Sequence, residues 1–134
     1  MSIAAPGLRY GRSWFIAGVV LAALITIASL LPAQKLPTVA ISDKVEHVIA
    51  FAVLAFWFGS VIAHRDFFYL ALALVAFGAA IEIAQGAMGL GRQSDIRDLV
   101  ADCIGMAGGL ALAWTPLGSW ASLIDKRIAA RRAR

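Results

Sequence analysis

Six of the eight acidic residues fall in two short segments of an otherwise apolar chain. They are Asp43, Glu46, Glu82, Asp95, Asp98 and Asp102. Glu82 and Asp102 stand inside apolar runs, where an ionised side chain is costly and is usually kept for function. Each lies about one helical turn, roughly 5–6 Å, inside the end of its run, so both are expected at one depth. These acids therefore predict a shared polar site.

Nitrogen-bearing residues stand where they would complete this site. Asp43 and His47 are four residues apart and share one face of a helix, with Lys44 beside them. Arg92 stands in a glycine-rich loop, where it is equally suited to clamp an anionic group or to pair with a nearby aspartate. The candidate ligand-binding residues are Asp43, Lys44, His47, Glu82, Gln85, Arg92, Asp98 and Asp102. No catalytic residue is assigned.

The carboxylate and imidazole groups of this set are also of the kind that bind divalent metals. The sequence lacks, however, a compact ligand motif such as HExxH. We therefore predict no metal and no other cofactor. The single cysteine, Cys103, excludes an internal disulfide within these 134 residues.

Four apolar runs have to position these residues. They cover about 14–31, 45–63, 67–85 and 99–114, each close to the length that crosses a bilayer as a helix. The 134-residue chain is 61% hydrophobic and 15% charged, which favours a membrane protein. The predicted fold class is all-α, a four-helix transmembrane bundle with short loops over 1–116, followed by a basic amphipathic helix over 117–134. A frayed basic tail that only fixes topology is the alternative for the last segment.

The basic residues give the orientation. The formal net charge is +4, but the basic residues stand at the ends of apolar runs and no nucleic-acid-binding motif is present, so nucleic acid is not an expected partner. With the N-terminus inside, eight basic residues lie on the cytoplasmic side and four lie outside. We therefore predict a multi-pass protein with both termini cytoplasmic and the polar site facing outward.

Gly105 and Gly109 form a small-xxx-small pair in the fourth run. Such a pair lets another helix approach closely, and we predict a helix-packing role for both glycines. The neighbour is either a helix of the same chain, which we favour, or a second copy in a homo-oligomer.

The order of these motifs resembles that of a known family. Asp43-Lys44-x-x-His47-x-x-x-Phe51 heads one run, and Glu82-x-x-Gln85, Arg92, Asp98, Asp102 and Gly105 surround a later turn. This combination, over residues 30–109, resembles the VanZ-like family of small bacterial membrane proteins. Asp102 departs from the resemblance, which leads us to expect asparagine there. The resemblance implies the bacterial cytoplasmic membrane and, for the founding member, teicoplanin resistance; it implies no catalytic mechanism.

Three functions are open at this stage. The leading hypothesis is a non-enzymatic protein whose outward-facing polar site binds an envelope lipid or glycolipid head group and thereby affects glycopeptide sensitivity. Its partners would be membrane lipids, a lipid-linked cell-wall precursor or an amphiphilic antibiotic. The second is a membrane-embedded hydrolase or transferase acting on a lipid phosphate. The third is a structural or regulatory membrane subunit.

Overall fold

The computed structural model describes residues 7–31, 42–88 and 94–132, and within them the fold is entirely helical. The described residues contain no β-strand, so the all-α class is confirmed. Five α-helices run in chain order: α1 (Gly11–Leu30), α2 (Asp43–Val61), α3 (Phe67–Met88), α4 (Ile96–Ala113) and α5 (Trp120–Arg132). Two short 3-10 helices, His64–Asp66 and Pro116–Ser119, precede α3 and α5.

Three segments are long and apolar enough to cross a membrane, namely Gly11–Leu30, Asp43–Val61 and His64–Met88. A fourth crossing is obtained only if Ile96–Ala113 and Pro116–Arg132, which are bent by 74°, are counted as one broken span. The described residues therefore contain three helices, or four if the bent pair counts as one, that could cross a membrane by length and composition.

The helix ends differ by a few residues from those expected, for local reasons. α3 continues through Gly86 to Met88, since one glycine in a helix costs only about 1 kcal/mol relative to alanine. α4 begins at Ile96 because the Asp95 carboxylate accepts the backbone N–H of Arg97 at 2.9 Å and so caps the helix.

The core forms along α2. Phe51, Leu54, Ala55 and Phe58 of this helix are buried together with Leu74 of α3. α1 adds an edge-on contact between aromatic rings, with the centroid of Phe15 5.5 Å from that of Phe58. α2 is thus the helix against which the others are placed.

α4 lies unusually close to α2 because of its glycines. A Cβ atom at Gly105 would overlap the carbonyl oxygen of Val48, and one at Gly109 would overlap that of Ala52. A Cβ at Gly108, in contrast, would meet nothing within 4 Å among the described residues. Within the chain, Gly105 and Gly109 therefore face the backbone of α2, and a role in homo-oligomers stays a prediction.

α5 is joined to the beginning of α1 by a buried acid. The Asp125 side chain accepts the backbone N–H groups of Arg9 at 2.7 Å and Tyr10 at 3.0 Å, and the indole N–H of Trp14 at 3.1 Å. Asp125 is 1% exposed and Ala121 is fully buried, whereas Ile124 is 41% exposed. The face of α5 that packs on the protein is therefore centred on Ala121 and Asp125.

Candidate functional site

Helices α2, α3 and α4 bring acidic and basic side chains together at the end of the molecule opposite Asp125. We call these residues the polar cluster: Asp43, Lys44, His47, Glu82, Asp95, Asp98 and Asp102. His47, Glu82, Asp98 and Asp102 are buried. The close approach of α4 to α2 at Gly105 sets the spacing of this cluster, because Asp102 lies three residues before that glycine.

His47 and Asp102 form the most buried contact of the cluster. His47 Nδ1 lies 2.8 Å from Asp102 Oδ1. With an ionised Asp102 carboxylate, which can only accept hydrogen bonds, Nδ1 is the donor. The other ring nitrogen, Nε2, then faces Glu82 Oε1 at 4.0 Å, which is too long for a hydrogen bond. The imidazole of His47 is thus held between two carboxylates and bonded to one of them.

Each of the two carboxylates has one oxygen with no hydrogen-bond partner in the part of the chain that the structure describes. Glu82 Oε2 accepts the backbone N–H of Asp95 at 2.9 Å, but Glu82 Oε1 and Asp102 Oδ2 are buried without a hydrogen-bond partner among the described residues. Asp102 Oδ2 lies against Gly78, where a Cβ atom would be only 2.5 Å away. Gly78 therefore leaves the space that Asp102 occupies.

Lys44 is held by two acids. Its Nζ lies 3.2 Å from Asp95 Oδ2 and 3.0 Å from Asp98 Oδ1. The backbone N–H of Arg97 and the Lys44 ammonium together hold the pKa of the Asp95 carboxyl below its usual value, because both favour its ionised form. Lys44 thus fixes the beginning of α2 to that of α4.

A cleft of about 150 Å³ opens beside His47, between the end of α1 and the beginning of α2. Its lining residues are Ile25, Ala28, Ser29, Asp43, Glu46, His47, Ala50 and Phe51. The acidic residues and His47 belong to the first turns of α2, whereas Ile25 and Phe51 lie further from the ends of α1 and α2 at which the cleft opens. A larger cavity of about 460 Å³ between α1 and α3 is lined almost wholly by apolar side chains and lies away from the polar cluster.

Of the eight residues expected to bind a ligand, one lies apart from the cluster and one falls outside the described part of the chain. Gln85 is buried, but its Nε2 donates to the backbone carbonyl of Ser29 at 2.9 Å and so ties α3 to α1. Arg92 lies outside the described residues. The other six, Asp43, Lys44, His47, Glu82, Asp98 and Asp102, lie in the polar cluster, with one ligand atom each of Asp43, His47 and Asp98 mutually within 4.8 Å.

Sequence reasoning counted Glu46 among the clustered acids but not among the ligand-binding residues, and it gave no role to Ser29 or Gly78. Glu46 has a signal, since it lies three residues after Asp43 and shares its helical face. Gly78 likewise lies four residues before Glu82, on the face of α3 that meets Asp102. Ser29 has none, because only the packing of α1 on α2 brings it to the cleft.

Comparison with known proteins gave no match to any protein-family model, any curated protein or any solved structure.

Proposed function

We propose that this chain is an integral membrane protein that binds the polar head group of an envelope lipid or glycolipid in the cleft between α1 and α2. The observation that carries the proposal is the mixed lining of that cleft, which combines Asp43, Glu46 and His47 at the beginning of α2 with the apolar Ile25 and Phe51. Such a lining matches an amphiphile, whose head group needs hydrogen bonds and whose chain needs apolar contact.

The proposal includes a topology. α1, α2, α3 and the bent pair α4–α5 would cross the bacterial cytoplasmic membrane four times, with both termini in the cytoplasm. The contacts of Asp125 with Arg9 and Tyr10 support this arrangement, because they place α5 and the beginning of α1 at the same end of the molecule. The cleft and the polar cluster, at the opposite end, would then face outward.

The charge of the site suggests which head groups fit. The polar cluster contains five carboxylates and a single ammonium group, that of Lys44, which two aspartates already hold. A head group with net negative charge would be repelled, whereas an ethanolamine or a sugar offers amine or hydroxyl donors to carboxylate oxygens. The proposed ligand is therefore a zwitterionic phospholipid or an uncharged glycolipid.

The resemblance to the VanZ-like family extends the proposal to a phenotype. An amphiphilic glycopeptide such as teicoplanin combines sugars with an acyl chain and so shares the chemistry of the proposed ligand. Expression of the protein would then reduce teicoplanin sensitivity, and loss of the cleft would restore it.

Native mass spectrometry of the protein from nanodiscs tests the proposal. The discs contain equal amounts of phosphatidylethanolamine, a diglucosyl lipid and phosphatidylglycerol. The protein should retain the first two in preference to phosphatidylglycerol. Ala50→Phe, which fills the cleft, should lower the retention of these two lipids at least about tenfold, or 1.4 kcal/mol. Glu46→Gln should also lower their retention.

Asp66→Asn serves as the control, because Asp66 is an acid outside the polar cluster and pairs only loosely with Arg65, at 3.9 Å. It should leave retention unchanged. Equal retention by Ala50→Phe and the unsubstituted protein, or a preference for phosphatidylglycerol, would contradict head-group binding in this cleft.

A second candidate, a hydrolase or transferase acting on a lipid phosphate, is favoured by one observation. A buried carboxylate that holds the imidazole of His47 at 2.8 Å is the arrangement that orients a general base. Hydrolysis of a polyprenyl phosphate by the purified protein, abolished by His47→Gln, would support this function over simple binding.

A further inference from the structure

Potential metal ligands from two helices lie close together around His47. Three residues each offer one ligand atom, and these atoms lie within 4.8 Å of one another: Asp43, His47 and Asp98. His47 and Asp98 are buried. Because the three residues come from two different helices, α2 and α4, no short sequence motif announces them. We propose that Asp43, His47 and Asp98, together with Glu82 of α3, bind one divalent transition-metal ion of the Zn²⁺ or Mn²⁺ class.

The first support is the orientation of the imidazole. A histidine that ligates a metal through one ring nitrogen almost always donates its other N–H to a carboxylate or carbonyl group. In His47, Nδ1 makes this bond, to Asp102 Oδ1 at 2.8 Å. The Nε2 atom is thereby directed at Glu82. Asp102 is thus a positioning residue for the proposed site.

The second support is independent of the hydrogen bonds in the cluster. Glu82 is 5% exposed, and its Oε1 is buried without a hydrogen-bond partner among the described residues. This oxygen lies 4.0 Å from His47 Nε2. Two ligands at about 2.0–2.2 Å from one ion are separated by roughly 3.3 Å in a tetrahedral site and by about 4.2 Å when they lie opposite each other. An ion between these two atoms would satisfy both.

Charge gives the third support. The five carboxylates and one ammonium of the polar cluster carry a formal charge of minus four when all are ionised and His47 is neutral, and a divalent ion halves it. An imidazole with carboxylates suits Zn²⁺ or Mn²⁺ better than Ca²⁺ or Mg²⁺, which take oxygen ligands. Lys44, 3.0 Å from Asp98 Oδ1, competes with the ion for that carboxylate.

Metal analysis of the untagged protein in detergent tests the proposal without reference to lipid. After chelation and dialysis, Zn²⁺ and Mn²⁺ are added separately, and stoichiometry and Kd are measured by mass spectrometry of metals and by calorimetry. We expect one ion of at least one of them per chain. His47→Gln and Glu82→Gln should abolish stoichiometric binding, and Asp102→Asn should weaken it about tenfold. Lys44→Met should increase the affinity for the metal, because Asp98 is then free of its competing ammonium group. If Lys44 only stabilised the fold, its loss would not increase this affinity.

His64→Gln is the matched control, since it removes the other histidine of the chain, which stacks on Trp114 away from the polar cluster. It should leave the affinity unchanged. The visible absorption of Co²⁺ bound to the unsubstituted protein, displaced by Zn²⁺, gives a readout that does not depend on whether any variant folds. Absence of stoichiometric Zn²⁺, Mn²⁺ or Co²⁺, or equal affinity in His47→Gln and His64→Gln, would overturn the proposal. Because Glu46→Gln and Ala50→Phe spare the proposed ligands, lipid retention and metal binding can fail separately.

Discussion

Replacing Gly105 by alanine should destabilise the protein, although alanine is the better helix former. A Cβ at this position would overlap the Val48 carbonyl oxygen and would lie 2.9 Å from the carbonyl carbon of Val48 and 3.0 Å from the nitrogen of Ala52. These are backbone atoms, so they yield only if α2 and α4 move apart. The loss from overpacking is about 3 kcal/mol, and the gain in helix propensity is about 1 kcal/mol. The expected net loss is therefore about 2 kcal/mol.

Gly108→Ala, in the same helix, should instead stabilise the protein. Among the described residues nothing lies within 4 Å of a Cβ at Gly108, so only the propensity term remains, and the variant should gain about 0.5–1 kcal/mol. For a chain of this size, at about 4 °C per kcal/mol, Tm should fall by about 8 °C for Gly105→Ala and rise by about 2–4 °C for Gly108→Ala.

Thermal unfolding in one detergent, followed by circular dichroism and by size-exclusion chromatography, measures both shifts. Gly109→Ala should behave like Gly105→Ala, because its Cβ would overlap the Ala52 carbonyl oxygen. Equal shifts of Tm in the same direction for Gly105→Ala and Gly108→Ala would contradict the close packing of α4 on the backbone of α2. The contact of Asp102 with His47, which depends on that packing, would then also be in question.

Two further predictions concern the acids at either end of the molecule. Asp125→Ala should lower stability by roughly 2–4 kcal/mol, because three hydrogen bonds to a carboxylate are lost, and should weaken the near-ultraviolet circular dichroism of Trp14; an unchanged spectrum would contradict the contact. Asp95 has a pKa held below its ordinary value of 3.8 by the Arg97 N–H and by Lys44, so the stability that it contributes is complete above that pH and is lost as pH falls through the lower, folded-state pKa. Between pH 5 and 2, Tm of the unsubstituted protein should therefore fall more steeply than that of Asp95→Asn, and parallel curves would refute the assignment.

The amino-acid pattern predicts the helices and the members of the polar cluster better than it predicts their contacts. Glu82 and Asp102 can be selected from the sequence because ionisable groups inside apolar runs are rare and costly. Their depth follows from the helical rise, so a meeting with His47 can be anticipated. A hydrogen bond from Gln85 to another helix can be expected from the sequence. The pattern does not give the rotation of each helix about its axis, so its partner, the Ser29 carbonyl, cannot be named in advance.

Asp125 shows the same limit at the other end of the chain. A single acid in a basic, amphipathic segment is most simply interpreted as a solvated residue. Its burial depends on the free backbone N–H groups of Arg9 and Tyr10, which lie 116 and 115 positions away. Only the folded chain brings such distant groups together, so the spacing of residues near Asp125 does not predict this contact.

The bond between Asp125 and the residues preceding α1 has a consequence for biosynthesis. α1 precedes the other described helices in the chain, yet its amino end gains these contacts only after Asp125, 116 positions beyond Arg9, has been synthesised. Until then, those amide groups lack their carboxylate partner, and α1 has no such contact with α5. A chain that stopped at Ser119 would contain every residue of the polar cluster. It would still lack α5 and, with it, the contact of Asp125 with Arg9 and Tyr10.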